Sequence, residues 1–109
     1  MERKEGFIKY TRARECNGCK KEREAAAESL LCRRVKAAGG LCPKFGANGW
    51  PDRIVILRGR VTWIELKRPG GRPRPDQLHV IEKLQRAGAD VRVLAGTLEV
   101  EAWCHEQGI

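Results

Sequence analysis

Arg53-Ile-Val-Ile-Leu57-Arg58-Gly59-Arg60-Val-Thr-Trp-Ile-Glu-Leu-Lys67 decides the fold of this chain. Its first five residues are one arginine and then a continuous run of four apolar residues. That is the mark of a strand buried on both faces. Arg58-Gly59 is a tight-turn candidate with glycine where a positive φ is needed. Val61 to Lys67 alternates and reads as the partner strand. If the loop holds two residues, Leu57 faces Arg60 and paired positions sum to a constant. Asp52 then falls opposite Glu65, on one face, with Cβ atoms about 4.5–5.5 Å apart. Lys67 lies two residues beyond Glu65 and shares that face.

Outward from the hairpin, the spacing predicts a helix from Lys20 to Ala38, with Leu31, Val35 and Ala38 on one face and Gly39-Gly40 as its stop. Leu41 to Phe45 reads as an edge strand broken by Pro43. Arg68-Pro-Gly-Gly-Arg-Pro-Arg-Pro75 is a basic, restrained loop. A helix opens near Pro75 and carries Leu78, Ile81 and Leu84 inward. Asp90 to Leu94 is a further strand, and a helix over Leu98 to Glu106 closes the chain. The expected fold class is α/β: a compact αβββαβ core, its mixed sheet flanked by helices. Residues 1–19 read as an N-terminal arm and 20–109 as a single domain.

The chain has 109 residues and a formal net charge of +8. Residues 1–40 carry +5, residues 41–75 carry +6 and residues 76–109 carry −3, so the middle is the most basic. Such a surface suits a polyanionic partner, DNA or RNA. No apolar run approaches the ~18 residues of a membrane span, and no apolar stretch follows the first residues as a secretory leader would require. The five cysteines are an odd number, which with no leader points to a reducing, cytoplasmic interior. Cys16 and Cys19 have metal-ligand spacing, but a second close pair is missing, so structural zinc is not expected there.

The carboxylates need a reason. Strands disfavour Asp and Glu, most of all when buried. Two acids side by side repel each other, and a divalent cation between them removes the conflict. Oxygen ligands suit Mg²⁺ or Mn²⁺. Lys67 beside them can orient water or offset charge on a phosphate. Glu28, three residues before Leu31 and seven before Val35, shares the helix's apolar face and also needs a partner.

Gly49-Trp50-Pro51-Asp52-Arg53 followed by Trp63-Ile-Glu65-Leu66-Lys67 resembles the PD-(D/E)XK nuclease pattern. More closely, the chain resembles the virus-type replication-repair nuclease family, VRR-NUC. Glu28 ahead of Gly39-Gly40, Lys44-Phe45, Arg72-Pro-Arg-Pro-Asp-Gln77 and Gly88-Ala-Asp-Val-Arg-Val93 extend the likeness. Trp50 departs from it, since a smaller residue is usual before the Pro-Asp. The resemblance implies a metal-dependent DNA endonuclease. Asp52, Glu65 and the Leu66 main-chain carbonyl would hold Mg²⁺ or Mn²⁺, with Glu28 contributing directly or through water. Lys67 would be the catalytic lysine, and Gln77 would support the site. Stand-alone members of the family resemble Holliday-junction resolvases, which implies branched DNA and a homodimer. The expected compartment is the cytoplasm, that of the host if the chain is phage-encoded. Lys44, Arg53, Arg68, Arg72 and Arg74 are the expected DNA contacts. Two other readings stand: a non-catalytic basic DNA-binding module and a zinc-stabilised interaction protein.

Overall fold

A computed structural model describes residues 23–109. The expected arm, with Cys16 and Cys19, and the first residues of the expected helix lie outside the described residues. The elements are α1 (Glu24–Ala37), β1 (Arg53–Leu57), β2 (Arg60–Lys67), α2 (Pro75–Arg86), β3 (Asp90–Ala95) and α3 (Thr97–Glu106). The sheet is mixed, in the order β1-β2-β3: β1 is antiparallel to β2, and β2 is parallel to β3. Parallel neighbours need a crossover, and α2 supplies it.

The hairpin has the expected register. Leu57 faces Arg60 and Arg53 faces Ile64. Arg58 (φ 52°) and Gly59 (φ 80°) both take the left-handed conformation, as a two-residue turn matched to strand twist requires.

Alternation along β2 sorts two cores. Ile64 and Leu66 point to the face where α1 and α3 pack, joining Ala27, Leu31, Val35, Val55, Leu57, Leu94, Val100 and Trp103. Trp63 points to the other face, where Ile81 of α2 packs on Val91 and Val93.

Two expectations are corrected. Leu41 to Phe45 does not form a strand. It makes only isolated antiparallel bridges, Leu41 with Ile56 and Lys44 with Arg53. Pro43 has no N–H to donate to a ladder; its carbonyl accepts from Ile54 N at 3.1 Å. Nor is β1 buried on both faces. α2 packs on β3 and leaves the turn end of the hairpin uncovered on that face, so Leu41 (61%), Ile56 (37%) and Val61 (50%) form an exposed apolar row.

Gly40 is where the chain leaving α1 meets the sheet. A Cβ there would stand 2.8 Å from Ile56 O, 2.9 Å from Leu57 Cδ1 and 2.9 Å from Val35 Cγ1. The backbone oxygen cannot swing away as a side chain can. Gly40→Ala is therefore expected to destabilise the fold by about 1–3 kcal/mol, the range for overpacking a core. Urea unfolding beside the parent checks this; an unchanged midpoint would contradict the close approach.

Candidate active site

The site lies at the C-terminal end of β2, on the α2 side of the sheet. Asp52, just before β1, continues the hairpin register opposite Glu65. Its Oδ2 accepts the Leu66 backbone N–H at 2.9 Å. That bond fixes one carboxylate against the strand carrying the other.

Glu65 is 1% exposed. Its Oε2 accepts from Gln77 Nε2 at 3.0 Å and pairs with Lys67 Nζ at 3.2 Å. Gln77, in the first turn of α2, cannot turn its amide over. Its Oε1 accepts the Arg74 N–H at 2.9 Å, so its NH₂ faces Glu65. Glu65 Oε1 is buried and has no hydrogen-bond partner. Burial, and then the charge of Asp52, push the Glu65 carboxyl up to about 7, against the pull of Lys67.

Glu28 does not join this group. Arg53 Nε and Nη2 both reach Glu28 Oε2 at 2.9 Å, and Arg53 Nη1 donates to the Cys42 carbonyl at 2.7 Å. This pair lies on the α1 face of the sheet, because Arg53 is one residue out of phase with Asp52. Two expectations change together: Glu28 is seated on a guanidinium, and Arg53 is turned inward with 19% of its side chain exposed. Arg53 is engaged within the fold by these contacts.

Glu24, in the first turn of α1, also raises the Glu65 pKa through its charge, as the least of the causes. Helical geometry contains the signal. At 100° per residue, Glu24 lies about 20° from Leu31 around the helix axis, whereas Glu28 lies about 60° away. Glu24 is thus nearer the centre of the buried stripe of Ala27, Leu31 and Val35.

Lys44, Arg68, Arg72 and Arg74 are exposed. Arg74 Nε meets Asp76 Oδ1 at 3.2 Å, and this hydrogen bond lowers the Asp76 pKa. Trp50, the residue outside the family pattern, packs with Phe45 (centroids 5.4 Å apart) and Trp63 (5.5 Å) and so has a local partner on each side.

Among the described residues no group of three or more His, Cys, Asp or Glu side chains is arranged to hold a metal ion. The donors that are present nevertheless fit a hard cation. Two neighbouring carboxylates repel, and one buried carboxylate oxygen points at nothing. The raised Glu65 pKa gives a pH signature. The native state keeps the Glu65 proton up to about pH 7, while an unfolded chain releases it near 4.5. Between those values the native state binds more protons, so this group's contribution to stability falls as pH rises, by about 3 kcal/mol. Urea unfolding in EDTA at pH 5 and pH 8 should show that fall in the parent and not in Glu65→Gln. Equal pH dependence in the two proteins would refute it.

No family model matches the chain. It is 40% identical over 76 residues to "Putative nuclease p44" of Acyrthosiphon pisum secondary endosymbiont phage 1, a match covering 66% of this chain and 82% of that protein. Among solved structures, a VRR_NUC domain superposes with a TM-score of 0.68 at 33% sequence identity, covering 72% of this chain and 90% of the other. A mixed sheet between helices, an Asp–Glu pair set by a hairpin register and these two likenesses agree, and the chain belongs to the VRR-NUC family of nucleases.

Proposed function

We propose that the chain is a divalent-metal-dependent DNA endonuclease acting on branched DNA. The observation that carries the reading is the buried Glu65 opposite Asp52, with an unpartnered oxygen and with Lys67 at 3.2 Å. Asp52, Glu65 and the Leu66 carbonyl would hold Mg²⁺ or Mn²⁺. The Leu66 N–H already faces Asp52, and the carbonyl of a strand residue opens to the same side as its N–H. When bound, such an ion screens the phosphate and makes water a stronger acid.

The remaining work belongs to the chain. Glu65 must lose its proton to act as a ligand, and Lys67 favours that loss by lowering its pKa. Gln77 holds one Glu65 oxygen and leaves the other open. The Lys67 ammonium, held beside the pair, supplies positive charge where a phosphate gains negative charge under attack. Glu24, whose charge reaches Glu65, would be a helical carboxylate of the site, while Glu28, expected there, is held by Arg53. Arg68, Arg72, Arg74 and Lys44 are exposed to meet the DNA backbone, and binding through them weakens as salt rises.

A branched substrate accords with the family likeness and with a two-fold dimer, in which two sites serve two strands. The homodimer belongs to the same proposal. Incubation with a four-way junction, a flap and a linear duplex of matched sequence, in Mg²⁺ and in Mn²⁺, tests it. Preferential cutting of the junction is expected; cutting of linear duplex or RNA alone would refute the branched substrate. Loss of all cutting after EDTA, restored by either ion, would support the metal.

A further inference from the structure

Cys32 and Cys42 come from different parts of the fold, the third turn of α1 and the segment bridged to β1, yet their sulfurs are 3.4 Å apart. Both are free thiols, Cys42 buried and Cys32 half-buried. Cys32 also lines a pocket of about 360 Å³ whose charged members are Arg33, Lys36, Arg53 and Glu28. Three of those four are cations. A partly accessible thiol in cationic surroundings, with a second thiol directly behind it, is the arrangement of an attacking and a resolving cysteine.

We propose that Cys32 and Cys42 form a reversible thiol–disulfide pair, with Cys32 as the sulfur that attacks a small anionic disulfide entering the cationic pocket. In the first step the Cys32 thiolate bonds to one sulfur of the incoming disulfide, whose other sulfur leaves as a thiolate. In the second, Cys42 gives up its proton and attacks Cys32 Sγ, and the second small thiolate leaves. Two protein thiols are oxidised, one small disulfide is reduced to two thiols, and the two protein protons end on those products. The order follows from access, since Cys42 is buried and Cys32 is half-buried. Its thiol is also pushed up to about 12, by burial first and by Cys32 second. The sulfurs need only close from 3.4 Å to a bond length of about 2 Å. The bond would tie α1 to the segment that flanks β1. It rests on the sulfur geometry and the pocket, and stands whether or not the nuclease reading does.

The test uses the full chain with Cys16→Ser and Cys19→Ser, reduced and then treated with glutathione disulfide in EDTA. Expected are the loss of two hydrogen masses, a linked Cys32–Cys42 peptide after digestion, and a melting temperature higher by about 5 °C or more. Dithiothreitol should reverse all three. In Cys42→Ser the reaction should stop at a glutathione adduct on Cys32; in Cys32→Ser it should not start. Cystamine, a cationic disulfide, should react about tenfold more slowly or worse. No reaction, a lasting adduct on Cys32 in the parent, or links only between separate copies would overturn the pair. Equal rates with the two disulfides would overturn the role of the pocket.

Discussion

Glu65→Gln is expected to lower DNA cleavage by about a thousandfold or more while leaving the protein folded. Glutamine has nearly the shape of glutamic acid, and Gln77 and Lys67 would still face a polar side chain at that position. What disappears is the negative charge that a divalent ion requires. Losing one preorganised electrostatic group commonly costs two to three powers of ten in rate, and loss of the ion costs more. Single-turnover cleavage of a four-way junction measures the effect. Binding to the same junction in Ca²⁺ or EDTA should stay within a few-fold of the parent, because Arg68, Arg72 and Arg74 are untouched. A variant that cuts at the parental rate would remove Glu65 from the chemistry and the proposed metal site with it.

The second large effect separates two glutamates one helical turn apart. Glu24→Gln should slow cleavage by about a hundredfold with little change in stability, since Glu24 is exposed and, in the proposed site, its negative charge would help to hold the divalent ion. Glu28→Gln should do the reverse. It leaves the Arg53 guanidinium, 19% exposed, without its carboxylate and should cost about 1–2 kcal/mol of stability, with cleavage changed only a few-fold. Junction cleavage and urea unfolding of both variants give a two-by-two comparison. The opposite pattern would return Glu28 to the metal and take Glu24 away from it.

The same two glutamates show how much could be read in advance. The hairpin was legible because Arg58-Gly59 sets its register, and that register alone puts Asp52 opposite Glu65. Glu28 was chosen by testing its spacing to Leu31 and Val35. Glu24 passes the same test at seven and eleven residues, so spacing alone does not separate the two. The structure starts α1 at Glu24, in its first turn, while Glu28 meets Arg53 one turn further on. The partnership of Arg53 with Glu28 joins residues 25 apart and depends on how α1 packs, which periodicity does not encode. Gln77 was named through the family motif; its grip on Glu65 and on the Arg74 N–H appears only once the loop folds. The burial of β1 is hidden for a related reason. An apolar run shows that a strand can be covered, while the position of α2 decides whether it is.

That bare row of Leu41, Ile56 and Val61 links ionic strength to colloidal behaviour. In dilute buffer the surplus of +8 keeps copies apart despite the oily stripe each one carries. Added electrolyte shortens the reach of that repulsion to about 8 Å at physiological strength and below that in brine. Salt therefore pulls in two directions, loosening the grip on a polyanion while letting molecules of this protein cohere.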